Sequence, residues 1–422
     1  MRIVYLTQWF DPEPNVIKGP RFVAALEAAG HEVSVVTGFP NYPTGRLYPG
    51  YRLGLLKRET VGGVRVTRLP LYPSHDASSL HRSLNYLSFF ASALIYGLFR
   101  RRRFDLAYVY HPPITVGLAA ALSGLVRRLP FVLEIQDLWP DTVAATGMGS
   151  ARTVRLLDAI CRFVYRRAAA IIVQSEGMKR TLMGRGVPAA KLVTVRNWAG
   201  LEPADQAAAD AAPGDGFNIV YAGNHGRSQA LETVLDAAAI LEPQRDDIRF
   251  HFYSDGIEAG RLKARAARMG LTTLQFHGHV PREEILAVFP RADALLLSLA
   301  DGPLFEITIP SKAQTYLAMG RPIIASVAGE TAELLRQSGA ALIARPQDPG
   351  ALAHAVRAMA ALSRDEREVM GAAGRRFYRE NLSFEKAIER TLSVLDGVAV
   401  GGRFPKARRP PAPAPASAGR PG

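Results

Sequence analysis

The sequence predicts an α/β protein made of two doubly wound domains, each a mostly parallel sheet covered by helices. Short β-branched or aromatic runs alternate with helix-like stretches, as right-handed strand–helix–strand crossovers require. The alternation stops once, at a segment rich in Ala, Asp, Pro and Gly, and then restarts. The length of 422 residues suits two large domains or three smaller ones, at roughly 150 residues each.

In the first half, the apolar runs at 3–6, 33–37, 106–110, 131–135, 170–173 and 192–195 read as strands buried on both faces. The stretches 22–29, 115–125, 153–167 and 178–183 carry helical periodicity. In the second half, strands are expected at 218–221, 248–253, 273–276, 294–298 and 322–326. Helices are expected at 229–241, 257–269, 281–289, 312–319 and 331–337. A last helix, 384–395, follows and is positioned to pack back on the first half. The expected organisation is a first domain over 1–200, a linker over 201–216, a second domain over 217–380 and a C-terminal helix within 381–399. Residues 400–422 form a basic Pro/Ala tail that holds too little apolar surface to fold.

Composition narrows the function. There are 52 Lys and Arg against 38 Asp and Glu, a net charge of +14, which favours anionic partners. The cations are dispersed or in the tail and no nucleic-acid module stands out, so nucleic acid is not an expected partner. A single cysteine, Cys161, excludes an intrachain disulfide and a cysteine-rich metal cluster. The nine histidines show no metal-ligand spacing, so no metal is expected. The N-terminus lacks the apolar core of a signal peptide, and the expected location is the cytoplasm. Residues 83–99 are mostly apolar and run into Arg100–Arg103. At 1.5 Å per residue they reach about 26 Å, short of a ~30 Å hydrocarbon core. They read either as a helix lying on the inner, anionic face of the plasma membrane or as a buried helix of the first domain.

Five segments carry chemistry. The loop after the first strand holds Lys18, Gly19 and Arg21 at a helix start, without a GxGxxG fingerprint. The loop after the second strand, Phe39 to Gly45, includes Asn41 and Tyr42 and is stiff and polar. Asp137, with Trp139 and Asp141 close behind, stands where the 131–135 strand leaves its sheet. Asp137 is the candidate group for binding a hydroxyl or taking a proton, while Asp137 or Asp141 would equally suit a helix cap. Gly223 to Arg227, between strand and helix, has the form of an anion-binding loop with Arg227 as phosphate ligand, and it is not a Walker A loop. In Pro310-Ser311-Lys312, Ser311 is expected to cap a helix and Lys312 opposes that helix's dipole, a cost that an anion bound there would repay.

Taken together, EIQDLWPD (134–141), YAGNHGRSQ (221–229) and IPSKAQTYLAMGRPII (309–324), with Gly30–Val33 and Gly38–Pro43, resemble bacterial family 4 glycosyltransferases of the GT-B fold. The resemblance covers roughly residues 1–395 and is nearest the fucosaminyltransferase-like enzymes of O-antigen, capsule and colanic acid synthesis. It implies two Rossmann-like domains facing a central cleft and a retaining, metal-free transfer from a nucleoside-diphosphate sugar, here UDP-linked. It further implies an N-acetylhexosamine or deoxy-amino sugar, such as N-acetylfucosamine, and a lipid-linked saccharide acceptor. Asp137 and Lys312 would be catalytic. Gly19, Gly223, Arg227, Ser311, Lys312, Glu306 and Glu330 would hold the donor, and Asn41, Tyr42 and Trp139 the acceptor. The chain departs from the family pattern at Thr315, where a second glutamate is usual, and at Asn224 and Gln229, where Arg and Lys are usual. The alternatives are a sugar-nucleotide epimerase of the same fold and a non-catalytic scaffold subunit.

Overall fold

A computed structural model describes residues 1–399 except 15–16, 76–77, 146–149, 201–214 and 246. Most of the expected linker and the whole 400–422 tail therefore lie outside the described residues.

The first half runs β1 (Arg2–Leu6), α1 (Pro20–Ala28), β2 (Glu32–Gly38), β3 (Lys57–Val61), β4 (Val64–Leu69), α2 (Ser79–Phe99), β5 (Leu106–His111), α3 (Ile114–Arg127), β6 (Phe131–Ile135), α4 (Asp141–Ala145), α5 (Ala151–Arg167), β7 (Ala170–Val173), α6 (Glu176–Gly184) and β8 (Leu192–Thr194). Its sheet has the order β3-β4-β2-β1-β5-β6-β7-β8, parallel except for the β3–β4 hairpin at one edge. Side chains alternate between two apolar layers: Ile3 and Tyr5 enter one, Val4 and Leu6 the other. That alternation is the period-two geometry of a strand covered on both faces. Serines set several helix starts, with Ser150 accepting from Thr153 N at 3.2 Å and Ser175 from Met178 N at 3.0 Å.

The second half runs β9 (Phe217–Ala222), α7 (Glu232–Leu241), β10 (Ile248–Tyr253), α8 (Ala259–Arg268), β11 (Leu274–Gly278), α9 (Arg282–Val288), β12 (Ala294–Ser298), α10 (Pro303–Glu306), α11 (Ser311–Met319), β13 (Ile323–Ser326), α12 (Gly329–Ser338), β14 (Ala341–Ala344), α13 (Pro349–Ala361), α14 (Arg364–Asn381) and α15 (Phe384–Ala399). The sheet is wholly parallel, ordered β11-β10-β9-β12-β13-β14. Relabelled from its own first strand this is 3-2-1-4-5-6, the Rossmann order, with the switch point between β9 and β12. In the first domain the switch lies between β1 and β5.

The chain then returns to its beginning. Phe384, Ile388 and Leu395 of α15 join Phe22 and Trp198 in one apolar cluster, and the Arg21 guanidinium lies 3.9 Å from the Phe384 ring centre. The domains also meet at the carboxyl ends of their strands. Ser175, just past β7, hydrogen-bonds the Ile307 carbonyl, and Arg180 of α6 pairs with Glu330 of α12 at 2.6 Å. The Ala199 amide donates to Tyr378 Oη at 3.1 Å. Both switch points therefore open onto the same cleft.

The sequence reading missed the β3–β4 hairpin, β14, α13 and α14. It also carried the 229–241 helix three residues too far towards its start, because Arg227–Gln229 forms a separate short turn.

Candidate functional site

On the second-domain side the site is built around Lys312, in the first turn of α11. Its amine donates to Gln229 Oε1 at 2.6 Å and Tyr221 Oη at 2.9 Å, and lies 4.6 Å from the Tyr221 ring centre. These partners are all neutral, and burial pulls the amine down to a pKa of about 7. The lysine stem runs against Gly223, whose φ is +146°, and a Cβ there would overlap Lys312 Cε. Gly223 is thus a glycine on two counts, backbone angle and the passage of Lys312. Gln229, a departure from the family pattern, supplies the acceptor nearest the amine. Thr315, another, donates to the Ser311 carbonyl at 3.0 Å.

One expectation on this side, the Ser311 cap, is corrected, and Arg227 and Glu330 carry partners the sequence did not show. Arg227 is exposed. Its guanidinium pairs with Glu258 at 3.1 Å, a carboxylate held below the usual range by bonds from Arg227 and Arg261. Ser311 is not the helix cap: Pro310 occupies that position and makes no side-chain bond, so Ser311 is the first helical residue, with its side chain exposed. Glu330 is already paired to Arg180 across the domain seam. Glu306 is exposed, and its backbone abuts Gly329, where a Cβ would overlap the Glu306 carbonyl. The two segments expected at the donor therefore do meet.

On the first-domain side, Asp137 follows β6 and makes no hydrogen bond or ion pair among the described residues. It is reached by solvent, yet the cleft walls strip part of its hydration and raise its carboxyl pKa. Around it runs a chain of rings. Trp139 meets His111 at 5.8 Å and Tyr86 at 6.2 Å. Tyr86 meets Trp9 at 6.5 Å, Trp9 meets Tyr42 at 5.0 Å, and Tyr42 meets His75 at 4.6 Å. Trp9, Tyr42, Tyr86 and Trp139 are half-buried, so each keeps part of its surface at the cleft. Half-wet aromatic faces of this kind suit the apolar faces of sugar rings.

Asn41 is corrected. It is buried, its amide donates to the Phe39 carbonyl at 3.0 Å and its oxygen accepts from Asn85 at 3.3 Å, so it holds the loop instead of facing an acceptor. Glu13 explains why: its buried carboxylate accepts the amides of Phe10 at 3.1 Å and of Asn41 and Tyr42, both at 2.9 Å. Burial raises its pKa to about 7. Lys18 and Arg21 both have partners within the chain, and Arg21 lies against the Phe384 ring. Lys18 is fully buried, 3.0 Å from Glu134, and Tyr108 donates to the same carboxylate. Gly19 is the buried N-terminal cap of α1, with an ordinary negative φ. Asp141 opens α4 and pairs with Arg185 at 2.6 Å.

His111 gained significance only in the fold. Neither of its ring nitrogens has a hydrogen-bond partner among the described residues, and complete burial pulls its pKa down to about 3, leaving it neutral beside Trp139. Its place at the end of β5, next to the switch point, was the available signal.

Comparison with known proteins agrees with this fold. Residues 20–198 match the glycosyl transferase 4-like domain and residues 216–361 match glycosyl transferases group 1. The chain is 28% identical over 376 residues to an Escherichia coli (strain K12) protein named as a colanic acid biosynthesis glycosyl transferase, WcaI, covering 85% of this chain and 91% of that protein. It is 24% identical to a glycogen synthase of Mycobacterium tuberculosis over 378 residues, 85% of this chain and 86% of that one. Among solved structures, Anabaena HepE in complex with UDP and glucose superposes with a TM-score of 0.65 at 14% identity, covering 94% of this chain and 99% of that one. The E. coli trehalose-6-phosphate protein bound with UDP-2-fluoro glucose does so with 0.68 at 15% identity, covering 94% and 99%. At such identities the superpositions establish the fold. The chain is a glycosyltransferase of the GT-B fold, a glycosyl transferase 4-like domain followed by a glycosyl transferases group 1 domain.

Proposed function

We propose that this enzyme moves a sugar from a nucleoside-diphosphate donor to a lipid-linked saccharide, in cell-surface polysaccharide synthesis, with retention and without a metal. The observation that carries the reading is Lys312: an amine at a helix start, surrounded only by neutral acceptors, opposite the Gly223 loop. A diphosphate placed there would receive the amine and the free amides of the first turn of α11. As the bond from anomeric carbon to diphosphate breaks, charge gathers on the leaving oxygen, and groups already aimed at it lower the barrier.

The acceptor would lie on the Trp9–Tyr42–Tyr86–Trp139 face. As its hydroxyl oxygen bonds the anomeric carbon, Asp137 would take the proton, its raised pKa bringing it closer to that task. The UDP bound in HepE and the UDP-sugar analogue in the trehalose-6-phosphate protein support a uridine donor. The name of WcaI supports a cell-surface polysaccharide as the acceptor's destination, whereas the amino or deoxy-amino sugar and work at the inner membrane face rest on the sequence resemblance alone.

The test is to incubate the enzyme with a panel of UDP- and GDP-sugars and a lipid-linked saccharide, with and without EDTA, and to assign the product anomer by NMR. A product that keeps the donor's anomeric configuration, formed equally with EDTA, is expected. Epimerised donor without any transfer would replace this reading with the epimerase.

A further inference from the structure

We propose that the outer face of α2, together with residues 52–58, is a docking surface for an anionic lipid bilayer. The helix is 21 residues long and two-faced. Asn85, Phe89 and Ala93 are buried against the first domain, whereas Leu80, Leu84, Leu87, Ile95 and Phe99 are exposed, Phe99 at 79%. At 100° per residue these five fall within about a third of the helix circumference, a continuous apolar stripe. Large side chains are left in water along it, and among the described residues no part of the chain covers them.

A second apolar segment lies beside the stripe. Leu53, Leu55 and Leu56 precede β3 and are all exposed, Leu55 at 91%. A groove of about 760 Å³ runs between the β3–β4 hairpin and the end of α2, lined among others by Leu56, Ile95, Phe99, Arg58, Arg100 and Arg101. Arg52, Arg58, Arg101 and Arg103 have no carboxylate partner among the described residues. Arg65 and Arg102, by contrast, share Glu32. Apolar side chains rimmed by uncommitted arginines match the layered chemistry of a bilayer surface, acyl chains beneath anionic headgroups. No helix among the described residues is long and apolar enough to cross a membrane, and α2 is held to the domain along its inner face, so it would lie flat.

The position of the stripe links it to the cleft. Tyr86, between Leu84 and Leu87 on the same helix, is one of the rings of the proposed acceptor wall. A saccharide resting on that wall would have its lipid within a turn or two of the bilayer face. This link rests on the function proposed above, but the docking itself does not.

The full chain is floated with vesicles of phosphatidylcholine alone or of equimolar phosphatidylcholine and phosphatidylglycerol. Two exposed-site variants are compared, Arg101→Gln/Arg103→Gln and Leu87→Asn/Ile95→Asn. Melting temperatures verify that both fold, and turnover with a water-soluble saccharide is measured in parallel. The expected result is binding to the anionic vesicles alone, weakened about 30-fold by removing the two arginines, at roughly five- to sixfold for each. The leucine–isoleucine variant should detach as well, with soluble turnover preserved in both. Unbound wild type, equal binding by all forms, or a concentration-dependent dimer broken by Leu87→Asn/Ile95→Asn would overturn the proposal. Vesicle binding by a wild type that transfers no sugar would overturn the proposed function and leave the docking surface standing.

Discussion

Replacing Lys312 with methionine keeps the length of the side chain beside Gly223 and removes only the amine. Two opposite effects follow. The ammonium ordinarily titrates at 10.5 and here at about 7, so the folded state binds this proton less readily than the unfolded chain. That penalty is fully present below about pH 7 and fades as pH rises towards 10.5, with an upper bound of about 5 kcal/mol. The substitution removes it while leaving Gln229 Oε1 and Tyr221 Oη without the amine, an offset of about 1–3 kcal/mol for each buried group left unsatisfied. The two effects largely cancel, so the variant's stability at pH 6 should lie within about 3 kcal/mol of the wild type's. Catalysis should move the other way, because a donor aimed at the leaving charge in a water-poor site is worth about 10²–10³ in kcat. Calorimetric melting at pH 6 and donor turnover from pH 6 to 9 read both effects. A variant within threefold of wild-type kcat/KM, or one that loses activity only in proportion to its melting temperature, would refute the reasoning.

Three further outcomes follow from the same geometry. Gly223→Ala forces a side chain onto a backbone angle that strains it and onto Lys312 Cε, so donor turnover should fall at least tenfold while far-ultraviolet circular dichroism stays the same. Lys18→Met leaves Glu134 as a buried, unpaired carboxylate and should cost about 3–5 kcal/mol in urea unfolding, much of it recovered in Lys18→Met/Glu134→Gln. Glu13 binds its proton more tightly folded than unfolded, so its contribution is full below about pH 4.5 and lost as pH rises through about 7. Against Glu13→Gln, wild-type stability should decline by up to about 3 kcal/mol between pH 5 and pH 8, and a parallel pair of profiles would count against it.

The central strands were legible because a parallel strand covered on both faces must be apolar throughout, as Ile3–Leu6 and Leu295–Leu297 are. The β3–β4 hairpin was not, although its Gly62-Gly63 turn between two β-branched runs was a usable signal. Its alternating, half-exposed pattern at a sheet edge resembles loop. The helix α14 had a signal too, Ser363 and Glu366 in a reciprocal cap, masked by its many charges.

In the candidate site, Lys312 stood out in the sequence because a cation at a helix start opposes the dipole, and Gly223 because it sits in a strand-to-helix loop. The partners of Asn41, Lys18 and Arg227 were not legible, for a common reason. Each is a polar residue in a polar loop, and what decides its role is a partner far along the chain: Asn85 for Asn41, Glu134 for Lys18 and Glu258 for Arg227. Of the aromatic wall, Tyr42 and Trp139 were singled out in the sequence, but their assembly with Trp9 and Tyr86 was not legible for the same reason, since the four come from separate segments.

The account depends on Lys312 serving as the counter-charge of a donor diphosphate, and proton uptake on binding measures this directly. With a pKa of about 7, the free amine is about one-tenth protonated at pH 8, and an adjacent diphosphate should restore it to the charged form. Titration calorimetry of UDP into the enzyme at pH 8, in buffers of different ionisation enthalpy, should show the wild type taking up close to one proton. Lys312→Met should take up none and bind far more weakly. Equal affinities and no difference in proton uptake between the two would contradict the claim.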